Sequence, residues 1–269
     1  MIPAVKAETV DQRIDALLRD SELHKPEGDG PFPIVLQFHG CGGKKNLQER
    51  WAAVAKSAGW AALVVDSYGH RRISRFEAYA TVCTGLQLWG RERAGDLFAM
   101  MEWARRQPWV DPNRIVIAGW SHGGWTALDA MSMTPGRQIE NATRLYGLPE
   151  EPLAGLAGAF VIYPYQGIGA LAPVNGLRVN VPVQAIVGTS DSVVGGKSLI
   201  RVLSRMRTPS ASIGSSLSRM PAVSANRTLN PAKTNGASIM SRVVPAMLVT
   251  MAASRPCRRS HRAWACRRR

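Results

Sequence analysis

The first 197 residues of this 269-residue chain predict an α/β protein: a three-layer sandwich around a mostly parallel sheet. Three observations carry that reading. Short apolar runs, β-branched in part and bounded by Gly, Pro or Asp, recur along the chain. Between them lie longer stretches with apolar residues at helical spacing, and the runs are apolar on both faces, as buried parallel strands require. Strand, helix, strand with right-handed crossovers then gives the three layers.

The elements follow in order. Before Pro26, the alternation of Ile14, Ala16 and Leu18 predicts an extra edge strand, antiparallel to the rest. Pro33 to Phe38 and Trp60 to Val65 read as buried strands. A helix joins them through Leu47, Trp51, Val54, Ala55 and Ala58, with Asn46 as its cap and Gly59 as its stop. Ala94, Leu97, Phe98, Met101 and Ala104 mark a second helix, ending before Pro108. Arg114 to Ala118 is the next strand, and a helix runs from Ser121 towards Met133. After an irregular insertion from Thr134 to about Leu153, Gly158 to Tyr163 and Val181 to Val187 are the last two strands.

Composition excludes several classes. At 45% hydrophobic and 20% charged the chain is neither disordered nor fibrous. No run approaches the roughly 18 apolar residues of a bilayer span, and the first residues lack a secretory h-region, so a soluble cytoplasmic protein without membrane contact is expected. Cys41, Cys83, Cys257 and Cys266 fit no zinc spacing and are too few for a disulfide scaffold, and the Cys41 thiol is expected to be inert. Oligomeric state is not read from the sequence.

Chemistry concentrates at Gly119-Trp120-Ser121-His122-Gly123, a G-x-S-x-G between a predicted strand and a predicted helix. Glycines on either side allow a turn too tight for a β-carbon, so the Ser121 hydroxyl projects at the carboxyl end of the sheet as a nucleophile. The bland reading of Ser121 is an N-cap in an ordinary turn. His39-Gly40-Cys41-Gly42-Gly43 directly follows the strand PIVLQF. A tetrahedral intermediate needs two amides aimed at one oxygen, and those of Cys41 and His122 are the candidates for the oxyanion hole. His39 is expected to brace its loop. Asp191, the only acid after Glu151, follows the run VQAIV and fits the acid of a triad, its bland reading being a turn residue. His70, in the loop after the second strand, is a candidate for substrate contact.

Together HGCGG, VVDSYGHR, the Cys83 segment, QPWVDPNRIVIAGWSHGG and VGTSD resemble the dienelactone hydrolase family of α/β-hydrolases over roughly residues 25 to 197. That resemblance implies an eight-stranded sheet, hydrolysis of a small-molecule ester or lactone, and no metal or other cofactor. Dienelactone hydrolase itself uses a cysteine nucleophile where this chain has Ser121. In the family the catalytic histidine follows the acid, in a loop after one further strand and ahead of a last helix. Of His24, His39, His70, His122 and His261, only His261 follows Asp191, and it sits in the basic stretch CRRSHRAW.

Net charge is +15, unevenly placed. Residues 198 to 269 hold 14 of the 34 basic residues and none of the 19 acidic ones, where about seven acids would match the rate of the preceding sequence. Thr208 to Arg269 is rich in Ser, Arg, Ala and Pro and reads as a basic, largely unstructured tail. Such a composition is what an out-of-frame reading of a GC-rich gene gives, so a frame change between about Gly195 and Thr208 is expected, with the last strand, histidine loop and helix missing. The rival is a selected tail that binds nucleic acid or another polyanion by counterion release, a non-catalytic function.

Overall fold

The computed structural model describes residues 7–188, 191–195, 199 and 201–203. In chain order the elements are β1 (Glu8–Thr9), α1 (Val10–Leu18), β2 (Glu22–His24), β3 (Phe32–Phe38), α2 (Asn46–Ser57) and β4 (Ala61–Val65). Next come a 3₁₀ turn (Gly69–Arg71), α3 (Arg75–Glu77), a π turn (Ala78–Val82), α4 (Gly90–Arg106), β5 (Val110–Trp120) and α5 (His122–Ala130). α6 (Arg137–Thr143), β6 (Leu145–Tyr146), β7 (Leu156–Ile162), α7 (Ala172–Asn175) and β8 (Val183–Ile186) complete the series. The main sheet has the order β2-β4-β3-β5-β7-β8, with only β2 antiparallel to its neighbour. Among the described residues it therefore has six strands, where the resemblance implied eight.

Period-two alternation divides the core between the two faces of the sheet. Ile34, Leu36, Phe38, Ile115 and Ile117 turn to the side of α1, α4 and α5, where they meet Leu17, Leu97, Phe98 and Leu128. Val35, Ala62, Val64, Val116 and Phe160 turn the other way, onto Trp51, Ala52 and Ala55 of α2. Trp51 meets Trp120 edge-on at 5.3 Å, which pins α2 beneath the end of β5.

Three local expectations are corrected. Ile14, Ala16 and Leu18 lie in helix α1 rather than in a strand, because Val10, Ile14 and Leu17 bury one helical face. Thr9 and Gln12 close its N-terminus reciprocally, through Gln12 N–H to Thr9 Oγ1 at 3.3 Å and Thr9 N–H to Gln12 Oε1 at 3.0 Å. The antiparallel edge strand lies further on, at β2, paired with β4. At α2 the cap is Lys45, whose N–H donates to Gln48 Oε1 at 3.1 Å, and Asn46 is the first helical residue. The insertion after Thr134 contains α6 and β6, the latter pairing with β1 in a small parallel ladder.

β8 is the edge of the sheet among the described residues, and all four of its residues are half-buried. Leu199 and Leu203 are buried in the same core cluster as residues of α4 and α5. The basic tail from Thr208, with His261, Cys257 and Cys266, lies outside the described residues.

A buried ion cluster joins α1, the 3₁₀ turn and α4. Asp96, fully buried, accepts from Arg13 Nη1 at 2.7 Å and from Arg71 Nη1 and Nη2 at 2.8 Å each. Burial works to raise the Asp96 pKa, but Arg71 and Arg13 outweigh it and hold the carboxyl well below the ordinary carboxylate range. Removing this acid leaves Arg13 with Glu8 as its remaining acid and Arg71 with the Ser67 carbonyl alone, in a largely buried site. Asp96→Ala is therefore expected to cost about 3–5 kcal/mol in urea unfolding at unchanged m. A loss below about 1 kcal/mol would show that water or local movement relieves the cations.

Candidate active site

The turn between β5 and α5 is as sharp as the motif requires. Ser121 has φ 51° and ψ −111°, a strained conformation for a residue with a β-carbon, of the kind that costs roughly 1–3 kcal/mol and persists where its surroundings fix it. Its N–H donates to Ile162 O at 2.8 Å, and its carbonyl accepts from Trp125 N at 3.0 Å and Tyr165 N at 3.3 Å. A β-carbon at Gly123 would lie 2.1 Å from Phe38 O, so only glycine lets the start of α5 press against the end of β3. Ser121 itself is half-buried.

The loop after β3 lies against this turn. A β-carbon at Gly40 would stand 3.5 Å from Ser121 Cβ, and Gly43 N–H closes the loop onto Gly40 O at 3.1 Å. His39 is fully buried and braces the loop, as the sequence led us to expect. Its Nδ1 lies 2.7 Å from Gly40 O, and its Nε2 accepts from Ser67 N–H at 3.2 Å, which sets the proton on Nδ1. Burial first, then the Arg93 charge, hold its pKa well below the usual imidazole value. Tyr68 Oη donates to Cys41 O at 2.8 Å. The Cys41 thiol, expected to be inert, is joined to Cys83 in a disulfide that ties the loop to the end of the π turn. Spacing alone could not pair two cysteines separated by 42 residues. Among the described residues, neither the Cys41 nor the His122 amide is spent on a turn or cap hydrogen bond.

Asp191 lies past the carboxyl end of β8. Its Oδ1 accepts from Val193 N at 2.9 Å and Val194 N at 3.1 Å, the turn-forming contacts of the bland reading. The same carboxylate acts on Tyr163, whose pKa is raised by burial and then by the Asp191 charge. Tyr163 follows β7, two residues before the Tyr165 amide that bonds Ser121 O. β3, β5 and β8 run parallel in one sheet, so the Gly40–Gly43 loop, Ser121 and Asp191 all follow strands at its carboxyl end. His70 lies among charged groups: burial first and then Arg71 lower its pKa to about 4, and Asp96, Arg13 and Glu8 act on it as well. No histidine among the described residues hydrogen-bonds Ser121 or Asp191.

Two charged groups escaped the sequence reading. Arg93, fully buried on α4, donates to Ser67 Oγ at 2.8 Å and to His39 O at 2.7 Å, and its Nη1 lies 3.3 Å from His122 Nδ1. Burial first and then Arg93 lower the His122 pKa to about 3, so this imidazole is neutral. Asp129, on α5, is buried with Oδ1 accepting from Leu171 N at 2.7 Å, and desolvation raises its pKa to about 7 despite that bond. Both are ionisable residues at buried positions of a helix, and that misplacement was the available signal.

A carboxyl whose folded pKa lies above its unfolded value favours the fold most below the unfolded pKa, and loses that advantage as pH rises through the folded one. Asp129→Asn should therefore melt higher than the parent at pH 8, with the gap closing as pH falls from about 7 towards 4. Melting curves across that range check it, and a gap independent of pH would contradict it.

Comparison with known proteins agrees with this geometry. Residues 50–137 match the model of the prolyl oligopeptidase family, a span that includes the elbow and stops short of Asp191. A probable dipeptidyl-aminopeptidase B of Colletotrichum graminicola is 29% identical over 127 residues, covering 45% of this chain. The chain spans only 13% of that relative's length. A dienelactone hydrolase, so described, from Klebsiella pneumoniae superposes with a TM-score of 0.50 at 17% identity, covering 68% of this chain and 71% of its own. Esterase 2 of Thermogutta terrifontis, phosphonylated by cyclosarin, gives 0.50 at 17% identity over 69% and 72%. The chain has the α/β-hydrolase fold, and the proteins that share it in these comparisons are hydrolases: esterases, a dienelactone hydrolase and peptidases.

Proposed function

We propose that this chain is a serine hydrolase of carboxylic esters or lactones. The observation that carries the reading is Ser121, held at φ 51° between β5 and α5 with the Gly40–Gly43 loop against it. Ser121 Oγ attacks the carbonyl carbon, and its proton passes to a base that Asp191 orients. The carbonyl oxygen becomes an oxyanion, to which the Cys41 and His122 amides donate. Collapse of the intermediate expels the alcohol with that proton and leaves an acyl-Ser121, which water hydrolyses by the same steps. His261, the one histidine after Asp191 in the chain, lies outside the described residues. His70, set among Arg71, Asp96, Arg13 and Glu8, is given no part in these steps.

Peptide hydrolysis is the second reading, favoured by the prolyl oligopeptidase match. That match is confined to the helix, strand and elbow region which ester and peptide hydrolases of this fold share, whereas the Gly40–Gly43 loop lies outside it. Polyanion binding through the basic tail rests on residues outside those described. The Cys41–Cys83 bond, of a kind that persists in oxidising compartments, weighs against the cytoplasmic expectation. No helix among the described residues is long and apolar enough to cross a membrane.

Turnover of p-nitrophenyl acetate should fall by ~10³-fold or more in Ser121→Ala with the melting temperature kept, and a fluorophosphonate should label the parent chain at Ser121. Equal turnover by parent and variant would refute the assignment. Faster release of p-nitroaniline from a dipeptidyl substrate than of p-nitrophenol from the ester would favour the peptidase reading.

A further inference from the structure

We infer that Arg93 is a positioning residue: one buried guanidinium holds the loop after β3 in register with the turn after β5. The inference rests on the ester-hydrolase reading of Ser121. Hydrogen bonding of β3 to β5 reaches its last register pair at Phe38 and Gly119. Beyond that pair the sheet ladder no longer sets the spacing between the Cys41 and His122 amides.

Arg93 Nη1 reaches across this gap. It donates to His39 O, the carbonyl just before Gly40, at 2.7 Å and lies 3.3 Å from Nδ1 of His122. Nε anchors the group to Ser67 Oγ at 2.8 Å, and Ser67 N–H in turn holds His39 Nε2. His122, neutral in this setting, presents Nδ1 as an acceptor and carries its proton on Nε2.

The setting is otherwise a poor one for a cation. Arg93 is fully buried, no carboxylate lies within ion-pair distance of it among the described residues, and its Nη2 has no hydrogen-bond partner among them. Asp96, less than one helical turn away, is already taken by Arg13 and Arg71. A buried charge without a carboxylate partner is costly, and besides the Tyr68 ring, whose centroid is 5.8 Å away, its three polar contacts all lead to the elbow and its loop, which locates what it does here.

Arg93→Lys keeps the charge but cannot span His39 O, His122 Nδ1 and Ser67 Oγ at once; Arg93→Met keeps bulk alone. We expect kcat for p-nitrophenyl acetate to fall about 10- to 100-fold in the Lys variant and further in the Met variant, with KM within about twofold. Hydrogen exchange should quicken together in residues 39–43 and 121–124, while the β3 and β5 segments stay as slow as in the parent. Unchanged exchange in the two segments, exchange that quickens alike throughout the chain, or a kcat within twofold of the parent in both variants overturns the inference. Absence of turnover in the parent, or equal turnover in Ser121→Ala, would instead overturn the hydrolase reading, and the exchange pattern alone would then decide whether Arg93 bridges the two segments.

Discussion

The close approach of α5 to the end of β3 is the constraint on which the rest of the site depends. With no side chain at Gly123, the helix lies with its backbone on the Phe38 and His39 carbonyls, and this forces the chain at Ser121 through a conformation that L-residues avoid. The strain is held by bonds from both sides, the Ser121 amide to β7 and the Ser121 carbonyl to α5 and the loop after β7. The same closeness brings Gly40 against Ser121. A β-carbon at residue 123 would push these segments apart and undo the juxtaposition of hydroxyl and amides in one step.

Around this contact the fold has placed fixed charges and covalent ties instead of more apolar packing. Asp96 binds Arg13 of α1 and Arg71 of the 3₁₀ turn to α4, which fixes the helix that presents Arg93. The Cys41–Cys83 bond fastens the loop on its solvent side, while His39 fastens it from beneath through Ser67. Buried cations and a strained turn lower stability, and the two cores on either face of the sheet offset them. The end of the sheet around Ser121 is thus the least relaxed part of a molecule whose sheet is otherwise conventional.

Much of this was legible residue by residue. Runs apolar on both faces marked β3, β4, β5 and β7 to within a few positions, since a strand buried on both sides leaves no room for polar alternation. The G-x-S-x-G and the glycines after His39 were legible because a backbone that must turn tightly or approach closely excludes every other residue. α1 misled, because three apolar residues at alternate positions fit a short strand as well as they fit one face of a helix. The Cys41–Cys83 pair was beyond the pattern, since it is set by a partner 42 residues along the chain.

What the sequence by itself determined is the succession of most strands and helices and the place of the sharp turn that presents Ser121, for these follow from local periodicity and from the steric freedom of glycine. Only the tertiary structure decided that Arg93, Ser67 and His39 stand under one loop and that Cys41 meets Cys83. Contacts between residues tens of positions apart depend on how the crossovers fold helices back onto the sheet, and that geometry is written in no single stretch of the chain.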